Sequence, residues 1–344
     1  MKKLIMSVAA AVLATAAFAY NPPVGGEEPF RFSNPNMLSG SSSSAAGGPS
    51  FNVVPDSIIY NPALPAQSEI ITVDLGGSIL FNTDKEDGDK SKGYGFETGV
   101  IVPTSFAAFT GTFNYVNSEM WRMPLGKIWD IHFGASKDVL DWLSVGVNLY
   151  FRRYSGYDLD SENAFGADFG ALARLGDVAF LKDLRLGASV LNCGKPADFK
   201  TLGMDNDDSC SKFPTIFTPR AAASATIFEA GKWVGGLSID VAAPSMVQNF
   251  INDIAFEATY DQKLRLTAAW QFNLRESVEA ESDGRSALSL GVSYKFGKKL
   301  GGKDSSITPA LASQYLYDGI FALSTGAVVE LGQKDTSGAE VEMW

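Results

Sequence analysis

The side chains that could do chemistry in this sequence are few: one histidine, two cysteines and several arginines. His132 is the single histidine among 344 residues. Nucleophilic catalysis needs a serine or cysteine next to a histidine that a third group orients, and no such pattern surrounds His132. The glycines are not followed by a helix, so they predict no nucleotide-binding loop. We therefore expect a protein that is not an enzyme and that uses no cofactor or metal.

The two cysteines, Cys193 and Cys210, lie close together in a segment rich in Gly, Asp and Ser. In an exported chain such a pair favours a disulfide within a loop. A two-ligand metal site is the alternative, but no histidine lies nearby to complete it. The acidic run from Asp205 to Asp208 offers oxygen ligands for a divalent cation. Its spacing is not that of an EF-hand, which favours a solvated loop.

The N-terminus has the pattern of a secretory signal peptide. Lys2 and Lys3 precede an apolar run, and Ala17-Phe18-Ala19 ends that run with small residues at the positions that a signal peptidase reads. We expect residues 1–19 to be removed. After them no apolar run reaches the ~18 residues of a membrane-spanning helix. The net charge of -11 and the lack of a basic patch argue against a nucleic-acid partner.

The sequence after residue 67 alternates between two faces with a period of two, which is typical of β-strands. In one of the clearest segments Leu266 and Trp270 fall on one face, and Arg265 and Thr267 fall on the other. These segments run to about 10 to 12 residues, longer than the usual globular strand. Fourteen segments are predicted, at 69–82, 93–102, 105–118, 127–136, 142–153, 164–175, 184–192, 216–228, 232–242, 253–261, 263–274, 286–297, 306–316 and 319–331.

The connections between these segments alternate in length. Short turns such as Pro103-Thr104 and Asp261-Gln262 alternate with longer polar connections such as Thr83 to Lys92 and Glu119 to Gly126. An up-and-down membrane barrel has short periplasmic turns and longer extracellular loops, whereas a soluble sandwich has no reason to alternate. We therefore predict an all-β protein: a transmembrane antiparallel up-and-down β-barrel of about 14 strands over residues 68–344, in the lipid bilayer of the bacterial outer membrane. A soluble exported β-sandwich is the alternative.

Residues 20–67 are rich in Gly, Ser and Pro and cannot bury enough apolar surface to fold alone. A barrel of this size is too wide to be filled by its own wall, so we expect this segment to act as a hatch in the lumen. Within it, the stretch SIIYNPALPA begins like a strand, but Pro62 and Pro65 cannot continue a ladder. We expect Asn61, Pro62, Ala63 and Pro65 to form the hinge between hatch and wall.

These features resemble the FadL-like outer-membrane transporter superfamily, and most closely its PorV/PorQ and spirochaete FadL-like members. The resemblance rests on Asn61-Pro62-Ala63 before the first strand, on LGASVLNCGKP from Leu186 to Pro196, and on Pro219. It implies a hatch-bearing barrel of fourteen strands and passive uptake of long-chain fatty acids or other small hydrophobic molecules. The chain is short for such a transporter. The alternative is therefore a scaffold for protein secretion or surface attachment that binds a secreted or periplasmic protein.

Several charged side chains fall on the face that the alternation predicts to line the lumen. They are Arg152, Arg174, Arg185, Arg220, Arg265 and His132. Two interpretations stay open: a cationic belt that contacts a carboxylate head group or anchors the hatch, or mixed charges that pair and fill the lumen. A lone lumenal histidine is more typical of a hydrogen-bonded wall residue than of a base.

Overall fold

The computed structural model describes residues 25–83, 92–120, 123–155, 161–198, 212–213, 217–279, 286–300, 303–316 and 319–332. The predicted signal peptide at 1–19 lies outside these ranges. Over the described residues the chain forms a closed antiparallel barrel of fourteen strands. The strand elements are β1 (Ile71–Asn82), β2 (Lys92–Pro103), β3 (Ala108–Met120), β4 (Met123–Leu140), β5 (Leu143–Ser155), β6 (Glu162–Val178), β7 (Leu181–Lys195), β8 (Ala197–Asp198), β9 (Lys212–Phe213), β10 (Thr218–Ala230), β11 (Trp233–Ala242), β12 (Ile251–Tyr260), β13 (Leu264–Asn273), β14 (Ser286–Tyr294), β15 (Phe296–Leu300), β16 (Lys303–Tyr315) and β17 (Ile320–Leu331).

The barrel closes between its first and last strands. β1 pairs with β17 in a register that places Ile71 opposite Leu331. β14 and β15 follow one another along the same edge of β16 and act as one barrel strand, while β8 and β9 form a separate two-residue ladder. Over the described residues the barrel sheet is a closed ring without an edge, so the soluble-sandwich alternative is wrong and the predicted barrel is confirmed.

The two faces predicted from the alternation are the two faces of the barrel. On β13, Leu266 and Trp270 are exposed on the outside, whereas Thr267 is buried inside. Outward apolar side chains such as Phe133 and Leu149, at 68% and 60% exposure, continue this surface around the barrel. An apolar outer band of this kind is suited to contact with hydrocarbon.

Some predicted boundaries are wrong because the strands are longer than the alternation suggested. β3 ends at Met120 and β4 begins at Met123, so most of the predicted connection from Glu119 to Gly126 is strand. Met120, Met123 and Leu125 are buried in an apolar cluster, which stabilises this extension. Two short helices, Pro244–Val247 and Leu274–Glu279, lie in connections that were expected to be irregular.

The N-terminal segment, residues 25–67, is buried almost throughout. It contains the 3-10 helices Pro29–Phe32, Pro55–Ile59 and Leu64–Gln67 and the α-helical turn Pro35–Leu38. Each of these turns has a proline in its first positions, where the fixed φ of proline favours a helical start. The run that begins like a strand in the sequence is therefore helical. No helix of the described residues is long and apolar enough to cross a membrane.

Candidate functional site

The N-terminal segment runs through the lumen from one end of the barrel to the other. At its start, the Gly25 N–H donates to the Glu276 carboxylate at 3.0 Å, beyond the end of β13. At its end, the Gln67 amide donates to Asp138 at 2.7 Å and to Ser144 at 2.8 Å, beside the short β4–β5 turn. The segment therefore begins at the end with the longer connections and reaches β1 from the end with the short turns.

Hydrogen bonds tie the middle of the segment to opposite walls. The Asn34 amide donates to Glu97 of β2 at 2.9 Å, and the Ser41 hydroxyl donates to Glu257 of β12 at 2.5 Å. The polar residues of this Ser-rich segment thus supply hydrogen-bond donors to buried carboxyl groups of the wall.

Inward-facing glycines let the backbone of the segment touch the wall directly. A Cβ on Gly187 would stand 1.9 Å from the Ala45 carbonyl oxygen, and one on Gly146 would stand 2.0 Å from the Pro62 carbonyl oxygen. A Cβ on Gly236 would meet the Pro49 carbonyl oxygen at 2.2 Å. No larger residue fits at these positions without displacing the segment.

Asn61 fastens the segment where it turns toward β1. Its Nδ2 donates to the carbonyl oxygens of Ala45 at 2.7 Å and of Ala171, on β6, at 2.9 Å. Its Oδ1 accepts from the Ala63 N–H at 2.9 Å. One buried amide therefore joins two parts of the segment to the barrel wall, and Gly170 leaves the space that this side chain occupies.

Two of the predicted lumen arginines form buried ion pairs. Arg152 contacts Asp130 through Nε at 2.8 Å and Nη2 at 2.5 Å. Arg220 binds Asp240 at 2.6 Å and also Glu28 of the N-terminal segment at 2.5 Å. Both guanidinium groups are thus neutralised by neighbouring carboxylates, as the charge-pairing interpretation predicts.

His132 is part of a hydrogen-bonded wall network. The Asn148 amide lies 2.7 Å from Nδ1 of His132 and donates to Asp168 at 2.7 Å. Nδ1 then acts as the acceptor, so the ring proton is assigned to Nε2, which lies 2.7 Å from Asp130. Asp168 also accepts from the Asn192 N–H at 2.6 Å. No serine or cysteine enters this network within the described residues.

The remaining predicted arginines lie away from this group. Arg185 donates to the Pro49 carbonyl oxygen at 3.3 Å and stacks over the Phe51 ring at 4.5 Å. Arg174 is partly exposed and donates to the Asp141 carbonyl oxygen at the β4–β5 turn. Arg265 lies at the start of β13, beside the short β12–β13 turn, and its Nε is 3.9 Å from Glu257 Oε1. The structure therefore does not bring all the predicted arginines together into one belt.

The cysteine prediction falls partly outside the described residues. Cys193 lies on β7 and is half-buried. Cys210 and the acidic run from Asp205 to Asp208 lie outside the described ranges, so the disulfide stays a prediction. No group of three or more His, Cys, Asp or Glu within the described ranges is arranged to hold a metal ion.

A cavity separates the first turn of the N-terminal segment from the wall between β4 and β12. It encloses about 630 Å³ of space that protein atoms do not fill, including its open mouth. The apolar part of its lining comes from Pro29, Phe30, Ile59, Leu191, Ala242, Pro244 and Ile251. The polar part comes from Glu27, Glu28, Arg31, Tyr60, His132, Arg152, Asp168, Asn192, Thr218 and Arg220. The cavity is thus amphipathic.

Two acidic side chains of the N-terminal segment, Glu27 and Asp56, are buried in surroundings that raise their pKa. Burial, with a contribution from Glu276, raises the pKa of Glu27 to about 7. Burial also raises the pKa of Asp56 to about 6, against an opposing hydrogen bond from Asn114. Both groups therefore titrate near neutral pH, where a solvated carboxyl group is fully ionised.

The sequence interpretation missed the cavity residues that belong to the N-terminal segment itself. Glu27, Glu28, Phe30 and Arg31 lie in the stretch GGEEPFRF, and Tyr60 lies in SIIYNPALPA. A signal was present, because charged and aromatic residues are rare in this Gly/Ser/Pro-rich segment. Such residues in a lumenal plug must find partners in the wall or line a cavity.

Solved hydrocarbon channels share this fold. The monoaromatic hydrocarbon channel CymD matches with a TM-score of 0.59 and 10% identity, over 92% of this chain and 99% of that protein. The toluene transporter TbuX of Ralstonia pickettii has a TM-score of 0.51 and 14% identity, over 85% and 97%. The toluene transporter TodX of Pseudomonas putida has a TM-score of 0.50 and 13% identity, over 85% and 96%.

At these identities the likeness establishes the fold alone. The barrel expected from the FadL-like resemblance is confirmed, while the nearer relation to PorV/PorQ stays a prediction. No protein-family model matches the sequence, and no curated protein matches it.

Proposed function

We propose that this protein is an outer-membrane channel of the FadL-like type that admits small hydrophobic molecules, such as long-chain fatty acids, by diffusion. Residues 1–19 would be the signal peptide, 20–67 the hatch and 68–344 the barrel. The chemistry of such a channel is binding and release, and it involves no covalent step.

The observation that carries this proposal is the amphipathic cavity between the N-terminal segment and the barrel wall. Phe30, Ile59 and Ile251 supply an apolar surface beside the charged and polar side chains of the lining. Small-molecule sites are concave, largely apolar and equipped with a few polar groups. Three proteins with the same fold carry hydrocarbon-channel or toluene-transporter names, which supports the same class of cargo here.

A second feature supports a closed lumen that excludes polar solutes. Backbone contacts at Gly146, Gly187 and Gly236 seat the segment against three different strands. A water-filled pore would not need such contacts. No observation on the described residues favours the alternative of a protein-secretion scaffold.

Uptake by intact cells tests the proposal, because the lipopolysaccharide leaflet is the barrier that such a channel would bypass. Cells expressing the chain in their outer membrane should take up labelled toluene and labelled oleate faster than cells with an empty vector. Arabinose entry should stay at the vector level. Uptake of both hydrophobic probes at the vector rate, with the barrel correctly folded, would contradict the proposal.

A further inference from the structure

Two buried hydrogen-bond donors on the cavity lining have no acceptor in the described structure. Arg31 is 1% exposed, and its Nε and Nη2 atoms are without a partner. Tyr60 is 2% exposed, and its hydroxyl is also unpaired. Buried donors are normally satisfied, so each such group calls for an explanation.

Both side chains are held in place by other contacts. Arg31 Nη1 donates to Asp253 at 2.8 Å, which anchors one end of the guanidinium and leaves the other donors available. The Tyr60 carbonyl oxygen accepts from Ser189 at 2.7 Å, and the Tyr60 ring stacks with the Arg220 guanidinium at 4.4 Å. Neither donor can easily turn away to find another acceptor.

The surrounding charge opposes an anionic ligand. The cavity is lined by three arginines and by three carboxylates, namely Arg31, Arg152, Arg220, Glu27, Glu28 and Asp168. The same arginines also pair with Asp253, Asp130 and Asp240, which lie behind the lining. A carboxylate entering this site would find each arginine already paired and would have to compete with these carboxylates.

From these observations we infer that the cavity recognises a small uncharged molecule whose apolar body carries one hydrogen-bonding oxygen, such as a phenol or an alcohol. Phe30, Ile59 and Ile251 would contact the apolar body, and Arg31 and Tyr60 would donate to the oxygen. This inference rests on the proposed function and narrows its class of cargo to uncharged molecules, which leaves ionised long-chain fatty acids outside the class that the cavity binds. A site that hydrogen-bonds a polar group discriminates strongly against analogues that lack it.

Binding of three matched probes to the purified full-length barrel tests the inference. 4-Methylphenol and p-xylene differ by a hydroxyl in place of a methyl group, and 4-methylbenzoate carries the same ring with a carboxylate. We expect the wild type to bind 4-methylphenol about tenfold more tightly than p-xylene, and 4-methylbenzoate most weakly. Each probe also partitions into the detergent, but this contribution is the same for every variant. It therefore cancels when the affinities of two variants for one probe are compared.

Tyr60→Phe is the decisive variant, because it removes the hydroxyl and keeps the ring. It should weaken 4-methylphenol binding about tenfold and leave p-xylene binding within twofold. Tyr150→Phe is the matched control, since Tyr150 is buried on β5 but does not line the cavity. It should change neither affinity.

The possible outcomes distinguish a failure of the inference from a failure of the proposed function. Wild-type protein that binds p-xylene as tightly as 4-methylphenol, with no effect of Tyr60→Phe, overturns the inference and leaves the proposed function standing. Tightest binding of 4-methylbenzoate overturns it also, in favour of a carboxylate site. If none of the probes binds, the inference fails, and the proposed function is then decided by the uptake of labelled toluene and oleate.

Discussion

The two ends of the N-terminal segment meet the barrel in different ways. Near Asn61 and Pro62 the backbone lies directly against wall glycines, and one amide side chain completes three hydrogen bonds. Near Glu28 and Arg31 the segment contacts the wall through ion pairs and through the Phe30 ring, and a cavity remains beside them. The first region is packed closely against the wall, while the second leaves unfilled space.

This difference has a physical origin in the sequence. A backbone carbonyl can approach a strand closely only where the strand has no Cβ, so glycine positions decide where the segment touches the wall. Charged side chains hold two surfaces apart at the length of an ion pair. Ligand space inside this barrel is therefore found where the contacts are ionic.

The largest effect on stability is expected near Glu28 and Arg31, where the segment forms ion pairs with the wall. Replacing Arg220 by Met leaves Asp240 buried without its cation and takes from Glu28 the nearer of its two cations. We expect the free energy of unfolding to fall by about 3 to 5 kcal/mol. Reversible urea unfolding in detergent measures this change. Lys182→Met is the control, because its pair with Glu229 is exposed, and it should cause no measurable change. Equal effects of the two variants would contradict the role given to the buried pair.

Asn61→Ala should have the next largest effect, in the region where the segment packs closely against the wall. It leaves the Ala45 and Ala171 carbonyl oxygens without the amide donor, and each buried group left unpaired costs about 1 to 3 kcal/mol. Asn61→Asp should be at least as damaging, because it keeps the acceptor for Ala63 but places a carboxylate against two carbonyl oxygens. Protection of residues 25–67 from protease measures the docking. An Asp variant as well protected as the wild type would show that the donor is unimportant.

Gly170→Ala tests the close backbone approach by a single methyl group. The added Cβ would lie 1.9 Å from Asn61 Oδ1, so the segment must shift, at a cost of about 1 to 3 kcal/mol. Liposomes containing the variant should swell in arabinose, whereas wild-type liposomes should not. Gly111→Ala is the control, since its Cβ would come no nearer than 3.7 Å to another atom. Swelling with both variants, or with neither, would break the proposed contrast between the two ends.

The smallest expected effect is a pH dependence in the docking of the N-terminal segment. Burial raises the pKa of Glu27 from 4.5 to about 7, so the folded state favours the protonated carboxyl group. This contribution to docking is present below pH 4.5 and is lost as the pH rises to about 7. Glu27→Gln should remove that loss, and hydrogen exchange of residues 25–32 between pH 5 and 8 measures it. Identical pH profiles for the variant and the wild type would exclude Glu27 as the titrating group.

The barrel could be predicted from the sequence because its strands repeat a simple local pattern. Leu266 and Thr267 face opposite sides of β13 for the same reason that their neighbours do, and no distant contact is needed to assign them. The lengths of β3 and β4 could not be predicted. Met120 and Met123 are held in strand conformation by an apolar cluster whose members come together only in the folded barrel.

The candidate site was harder to predict because its partners are far apart in the chain. The alternation placed Arg152 and Arg220 in the lumen, but nothing local shows that Arg220 binds Glu28, 192 positions away. Likewise Gly170 resembles every other strand glycine until Asn61 is placed beside it. Tyr60 was treated as part of an interrupted strand, so its place on the cavity wall was missed.

The central claim, that hydrophobic molecules pass through the cavity, is tested most directly by filling it. Ala242 faces the cavity from β11 and is 1% exposed, so Ala242→Phe should slow the uptake of labelled toluene by intact cells to near the empty-vector rate. Ala258→Phe places the same ring on the outward face of β12 and should leave uptake unchanged. Wild-type uptake by a correctly folded Ala242→Phe barrel would contradict the account.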